Sequence, residues 1–190
     1  MQMARVDTSN NNHRSLASVN DIRAIFHECR AELEWLAYFI TGNRAIAAVC
    51  VTEACVLSES HTSVFTESLL TWARHATIRS AIETQRNHIR QVSSGYDHTT
   101  FVRREYVPLT GETLELVVLR SDVFVARLDV VSRTALVICG VQKNSLADVA
   151  LMLGVNRAVA SAAYSAALDC LEVIRCEHMA HESGSAAMWN

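Results

Sequence analysis

The stretch that decides the fold is Ser145-Leu-Ala-Asp-Val-Ala-Leu-Met-Leu-Gly-Val-Asn-Arg-Ala-Val159. Ser145 and Asp148 have the spacing of a capping box, in which a serine and an acidic residue three positions later close the first turn of a helix. Gly154 permits a sharp turn, and a second helix is expected to start at Asn156. A short capped helix, a glycine turn and a second helix are typical of a helix-turn-helix motif.

Helical periodicity extends from this motif in both directions. The second half is expected to form helices over residues 114–128, 132–142, 145–153 and 157–176, and the first half over residues 21–40, 44–57 and 65–90. The chain has only 6 glycines and 1 proline, which disfavours a turn-rich β-sandwich. The sequence therefore predicts an all-α protein.

Breaks in the periodic pattern divide the chain. We expect a disordered arm over residues 1–18, a helical domain over 19–90, a linker over 91–113, a second helical domain over 114–177 and a flexible tail over 178–190. The linker stretch contains Ser-Ser-Gly and the only proline, and it is longer than most connections within a domain. Two small helical domains joined by a linker are the expected architecture.

Composition excludes several classes of protein. Half of the 190 residues are hydrophobic, which provides enough apolar surface for a folded core. The net charge of −3 gives no broad positive field toward nucleic acid, so any DNA contact has to be local. The sequence has no nucleophile elbow, phosphate-binding glycine loop or HExxH motif, so neither an enzyme nor a cofactor is expected.

Cysteine usage and hydropathy indicate a cytoplasmic protein without a membrane segment. None of the six cysteines forms a CxxC pair, and several lie in apolar helical patterns, so they are expected to be reduced and buried. The chain has no apolar run of about 18 residues and no signal peptide. Cys176, His178 and His181 have ligand chemistry suited to zinc, but a fourth ligand is not evident, and no metal site is predicted.

Three stretches carry a resemblance to a known family. Residues 128–171 resemble the C-terminal promoter-binding domain of sigma-70-family RNA polymerase sigma factors of the extracytoplasmic-function type. Residues 35–56 are similar to the region 2 helices that bind polymerase, and residues 65–82 to the helix that faces the upstream promoter element. The resemblance implies a transcription initiation factor whose partners are core RNA polymerase, promoter DNA and an anti-sigma factor.

The same resemblance assigns candidate contact residues. Asn43, Arg44 and Glu53 are the candidates for polymerase binding. The candidates for DNA binding lie on two helices: Asn156, Arg157, Ser161 and Ser165 on the predicted recognition helix, and Arg74, Arg79, Gln85, Arg86 and Arg90 on the basic helix of the first half. A solvated helix face with ion pairs is the alternative for both groups.

Several positions depart from the family pattern and support a second hypothesis. Ile46, Ala48 and Val49 stand where the family carries acidic residues. The positions where basic residues are common in the family hold Ser161, Ala163, Ala166 and Leu168. The alternative function is a sigma-like protein that has lost promoter binding and acts as a protein-interaction or regulatory module. The alanine-rich stretch 158–167 could then receive a partner helix or a second copy of the chain.

The large aromatic side chains are expected in the core rather than stacked on nucleobases; they are Trp35, Phe39, Phe65 and Trp72.

Overall fold

The computed structural model describes residues 15–60, 64–99 and 109–187, with side chains to residue 180. Within these ranges the chain forms helices and no strand, so the all-α prediction is confirmed. The helices of the first half are α1 (Val19–Glu28), α2 (Arg30–Thr41), α3 (Arg44–Ser58), α4 (Leu69–Thr84) and α5 (Arg86–Ser93). Those of the second half are α6 (Gly111–Leu119), α7 (Ser121–Arg127), α8 (Val130–Ala135), α9 (Leu146–Leu153) and α10 (Arg157–Ala187), and a π-helical turn over Leu136–Val141 follows α8.

Local capping chemistry sets the helix ends of the first half. Ser18 and Asp21 form a capping box at the start of α1. Gly42 ends α2 in the left-handed conformation, with φ of 71°, and its N–H donates to the Tyr38 carbonyl at 2.7 Å. The Asn43 side chain accepts from the amides of Ala45 and Ile46 and so begins α3. This short connection makes α2 and α3 neighbours in the bundle.

Three of the helices expected from periodicity are each broken once. Cys29 separates α1 from α2, Gln85 separates α4 from α5, and Arg120 separates α6 from α7. None of these positions is a glycine or a proline, so the apolar pattern runs across the breaks and gives no signal for them.

The two halves pack against each other through a shared hydrophobic core. The ring centroids of Phe39 on α2 and Phe124 on α7 lie 6.0 Å apart. Helix α2 also contacts α8, and α4 contacts α9. The buried side chains of both halves belong to one hydrophobic cluster, so the halves share a contiguous apolar interior. We call this packing of the two halves the closed arrangement.

Arg133 on α8 joins the two halves at the centre of this core. Its guanidinium donates to the carbonyls of Val125 at 2.8 Å, Leu128 at 3.0 Å and Ile40 at 3.1 Å. These carbonyls lie at the C-terminal ends of α7 and α2, which leave carbonyls without partners inside the helix. One buried side chain therefore caps two helices that belong to different halves.

Close backbone packing explains one glycine of the second half. The Leu109 amide donates to the Gly140 carbonyl at 2.9 Å, across the π-helical turn. A Cβ at position 140 would lie 2.8 Å from Cγ of Leu109, so no side chain fits there. The contact fixes the chain where it enters the second half.

The structure shifts several boundaries that the sequence predicts. Residues 15–18, expected within the disordered arm, are packed: Ala17 is buried, and its amide donates to the Val64 carbonyl at 2.8 Å. Helices α5 and α6 reach into both ends of the range expected as linker. Helix α10 continues to Ala187, past the expected helix end at residue 176 and into the range expected as a flexible tail. Residues 1–14, 61–63, 100–108 and 188–190 lie outside the described part of the chain.

Burial of the aromatic and cysteine side chains follows expectation only in part. Phe39 is buried and both Trp35 and Trp72 are partly buried against the core, but Phe65 is exposed, so its core assignment is wrong. All six cysteines are free thiols, and Cys176 is exposed. Burial raises the pKa of the Cys139 thiol to about 12, which keeps it protonated at neutral pH.

The length and hydropathy of each helix decide whether it could cross a membrane. In residues 15–60, 64–99 and 109–187, no single helix is long and apolar enough to cross a membrane. The bent pair α9–α10 meets the length and hydropathy of a span only when its two helices are counted together.

Replacing Gly42 by alanine tests how tightly the end of α2 is packed. Gly42 and Gly154 both cap helices with positive φ, of 71° and 67°. An alanine at either position should cost about 1–2 kcal/mol from backbone strain. At Gly42 the new Cβ would also lie 3.3 Å from Cγ1 of Val125, whereas at Gly154 nothing lies within 4 Å. Urea unfolding should therefore show Gly42→Ala less stable than Gly154→Ala by about 1 kcal/mol, and equal losses would contradict the packing described here.

Candidate interaction surfaces

The predicted turn between α9 and α10 has the geometry that its sequence indicates. The Ser145 hydroxyl accepts from the Asp148 amide at 3.3 Å, and the Asp148 carboxylate accepts from the Ser145 amide at 2.8 Å. Gly154 then takes the left-handed conformation, and α9 and α10 are bent by 111° across a three-residue break. Both values fall within the range of helix-turn-helix motifs.

The first turn of α10 carries two of the predicted DNA-binding residues at the surface. Arg157 and Asn156 are both exposed, and the Asn156 side chain is hydrogen-bonded within the chain. The side-chain oxygen of Asn156 accepts from the Val159 amide at 2.9 Å, which caps α10. Its amide nitrogen donates to the His98 carbonyl at 3.2 Å. Asn156 is therefore a capping residue in this structure.

The other two residues predicted on this face are buried. Ser161 is 3% exposed and Ser165 is 8% exposed, so the expectation that both lie on an open helix face is wrong. They share the buried side of α10 with Ala160, Ala163 and Ala167, which packs chiefly against α8 and α9. The alanine-rich stretch thus serves close packing within the chain, and it does not form a free docking face for another helix.

Helix α10 also lacks the positive charge of a DNA-reading helix. Residues 157–180 carry two arginines and three carboxylates. Arg175 pairs with Glu172 at 2.6 Å, and Glu177 pairs with Arg127 at 3.1 Å. The described surface of this helix is slightly acidic overall.

The basic helix of the first half has ion pairs at two of its arginines. Arg74 pairs with Glu32 on α2 at 2.5 Å, and Arg86 pairs with Glu83 through Nε at 2.8 Å. Arg79 and Arg90 are exposed. Gln85 is partly buried at the break between α4 and α5, where its carbonyl accepts from the Ile89 amide at 2.9 Å. The break at Gln85 places these residues on two separate helices rather than on one.

The predicted polymerase-binding residues are distributed over α3 and its N-terminus. Asn43 caps the helix, as described above. The Arg44 guanidinium lies 4.5 Å from the ring centroid of Tyr38 and pairs with Asp122 on α7 at 3.1 Å. The Tyr38 hydroxyl also donates to Asp122 at 2.5 Å, and this hydrogen bond lowers the pKa of Asp122 and raises that of Tyr38. Arg44 thus takes part in contacts between the halves.

The solvent-facing side of α3 is unusually apolar. Ala45, Val49, Thr52 and Val56 follow one another at spacings of four, three and four residues, which places them in one row along the helix. Val49 is 55% exposed, Val56 is 62% exposed, and the neighbouring Leu57 is 66% exposed. Glu53 lies beside this row, and its carboxylate accepts from the Ser80 hydroxyl at 3.4 Å. We call this surface the α3 face.

A shallow cleft lies near the N-terminal end of α3. It is bounded by α2, α3 and α6, has a volume of about 620 Å³ and is lined in part by Trp35, Tyr38, Ala47 and Val118. Its two lining carboxylates already have partners, because Glu32 pairs with Arg74 and Glu34 pairs with Arg30. The cleft is open to solvent and brings together no uncompensated charge among its acidic residues.

The possible zinc ligands do not form a cluster among the described side chains. Within the part of the chain where side chains are described, no group of three His, Cys, Asp or Glu residues is arranged to hold a metal ion. Cys176 is exposed, and the His178 Nδ1 lies 3.4 Å from a guanidinium nitrogen of Arg120. The side chain of His181 lies outside the described range.

The capping box of α9 should make stability depend on pH. The Ser145 hydroxyl and amide lower the pKa of Asp148 from 3.8. The stabilisation that the ionised Asp148 carboxylate provides is therefore complete above pH 3.8 and is lost as the pH falls through the lower pKa of the folded state. Urea unfolding should show the wild type more stable than Asp148→Asn at pH 7, with a gap that narrows between about pH 4 and pH 2. Glu28→Gln, at an exposed position on α1, controls for the loss of one charge, and a gap independent of pH would contradict the role of the carboxylate.

No family model, no curated protein and no solved structure matches this chain. Its function therefore has to be inferred from its own residues and contacts.

Proposed function

We propose that the chain is a sigma-like regulatory protein that acts through protein contacts rather than by reading promoter DNA. The observation that carries this proposal is the α3 face, an exposed row of apolar side chains on a helix whose opposite side is buried against α2 and α4. A solvated helix face normally carries charged residues, as α5 does with Arg86 and Arg90. Exposed apolar rows of this kind mark protein-binding surfaces.

The burial and ion pairing of the predicted DNA-binding residues also argue against promoter binding. Each phosphate neutralised on duplex DNA contributes about 0.9 to the salt dependence of binding, and specific binders use several such contacts. In this chain Ser161 and Ser165 are buried, and Arg74 and Arg86 are committed to ion pairs. Of the predicted DNA-binding arginines, this leaves Arg79, Arg90 and Arg157 exposed to a phosphate backbone.

Core RNA polymerase is the partner to examine first, because the resemblance of residues 35–56 assigns this part of the chain to polymerase binding. The chain has Ile46, Ala48 and Val49 where the family has acidic residues. A contact made by the α3 face would therefore depend on apolar burial and respond little to salt, unlike a contact between opposite charges.

A matched pair of valine substitutions tests the α3 face. Val49 on α3 is 55% exposed and Val173 on α10 is 52% exposed, so glutamate should be tolerated at both positions without loss of the core. We expect Val49→Glu to weaken co-elution with core RNA polymerase at least tenfold, because a charge would be buried at the contact. Val173→Glu should bind as the wild type does.

The measurement is co-elution at 50 and 300 mM salt, with circular dichroism to show that both variants fold. Equal binding of the two variants would exclude the α3 face as the contact. Absence of wild-type binding at both salt concentrations would exclude core polymerase as the partner.

A second candidate function is promoter binding as a sigma-70-like initiation factor. The observation that favours it is the 111° bend between α9 and α10, with Asn156 and Arg157 at the surface of the first turn. In helix-turn-helix proteins this end of the second helix contacts base edges.

Salt dependence separates this candidate from the first. If the first turn of α10 meets DNA, fluorescence anisotropy with a 30-base-pair duplex should detect binding at low salt. Arg157→Ala should then reduce the slope of log affinity against log salt by about 0.9. Arg175→Ala, farther along the same helix and paired with Glu172, should leave the slope unchanged. A wild type that fails to bind DNA even at 20 mM salt would exclude promoter binding by the isolated chain.

A further inference from the structure

The segment that follows α5 lies against the start of two helices of the second half. Residues 96–99, which we call the strap, run from Tyr96 past the N-terminal ends of α8 and α10. The Tyr96 hydroxyl lies 2.7 Å from the Asp129 carboxylate and 2.7 Å from the Ser132 hydroxyl. The His98 carbonyl accepts from the Asn156 side chain at 3.2 Å.

The two residues that hold the strap are also helix caps. One carboxylate oxygen of Asp129 accepts from the amides of Val131 and Ser132, which begins α8, while the other oxygen binds Tyr96. Asn156 also uses two side-chain atoms: its oxygen accepts from the Val159 amide, and its nitrogen donates to the His98 carbonyl. Each cap therefore satisfies its own helix with one atom and fastens the strap with the other.

The strap is attached by side-chain hydrogen bonds to α8 and α10 and by packing of the Tyr96 ring against the core. Burial raises the pKa of the Tyr96 phenol, so it stays protonated and can donate. Asp97, His98 and Thr99 are exposed. By contrast, the two halves are held together by many fully buried groups, including Phe39 and Phe124. The attachment of the strap is therefore weaker than the packing of the halves.

We infer that residues 96–99 form a releasable strap, held by Asp129 and Asn156, that occupies the side-chain amide of Asn156 and frees it when it lifts. While the strap is closed, the Asn156 amide is occupied by His98. When it is open, Asn156 still caps α10 and its amide nitrogen is available to another molecule. This inference does not depend on either function proposed above, because its test reads only the accessibility of Tyr96.

Asn156→Ser is the variant that isolates the strap. Serine caps a helix about as well as asparagine does, so α10 should keep its first turn. It lacks the amide N–H that donates to the His98 carbonyl, and it places no charge beside the His98 ring nitrogen, which lies 3.3 Å from the Asn156 amide nitrogen. One neutral hydrogen bond corresponds to a change of about fivefold in an open–closed equilibrium.

Accessibility of Tyr96 is read with N-acetylimidazole, which acetylates exposed phenols, followed by mass spectrometry of the peptide that contains Tyr96. We expect Tyr96 in Asn156→Ser to react about fivefold faster than in the wild type. Asn87→Ser makes the same chemical change at an exposed position on α5 and should leave the rate unchanged. Circular dichroism and urea unfolding confirm that both variants are folded.

A Tyr96 rate that is equal in Asn156→Ser and the wild type would overturn the inference, since the two attachment points would then be independent. An equal increase in Asn87→Ser would also overturn it, because the effect would not come from the contact with His98. Ser132→Ala, which removes one partner of the Tyr96 hydroxyl, should raise the Tyr96 rate as well and provides a second route to the open state.

Discussion

The buried guanidinium of Arg133 is the interaction on which the closed arrangement depends. An arginine in a protein interior is strongly unfavourable unless its donors are satisfied. Here the two terminal nitrogens of the guanidinium donate to carbonyls at the C-terminal ends of α7 and α2, where a helix leaves carbonyls without partners, while its Nε is buried without a hydrogen-bond partner. Each half therefore supplies hydrogen-bonding groups that the other needs, and separating the halves would break these hydrogen bonds. Gly42, which a side chain would push against Val125, lets the end of α2 come this close.

Polar helix ends recur as the points where distant parts of the chain meet. Asp129 and Asn156 each cap a helix of the second half and bind the segment that follows α5. Arg44, in the first turn of α3, binds Asp122 in the first turn of α7. Helix ends carry unsatisfied backbone groups and the side chains that cap them, so they offer directional contacts that a mostly apolar core lacks. Three candidate contact residues, Asn43, Arg44 and Asn156, lie at such helix ends, and the closed structure engages all three.

Some features of the candidate surfaces depend only on residues close together in the sequence, whereas others depend on distant parts of the chain. The turn of Gly154 and the capping box of Ser145 and Asp148 were predictable, because each involves residues at most a few positions apart. The burial of Ser161 and Ser165 was not, since serine tolerates both solvent and a close helix contact. A signal was present in the surrounding alanines, whose small side chains favour close helix packing. The apolar α3 face was visible as Val49 and Val56 in the sequence, but only the structure shows that this side is outermost.

The sequence by itself determined the all-α class, most helix boundaries, the caps and the turn before α10, because these follow from hydrogen bonds and side-chain periodicity within a few residues. The tertiary structure decided the breaks at Cys29 and Gln85, the packing of the two halves, the partners of Arg74 and Arg133 and the exposure of each helix face. Those properties depend on residues tens of positions apart. Local patterns carry no information about which distant surface will cover them, and burial against that surface sets the final arrangement.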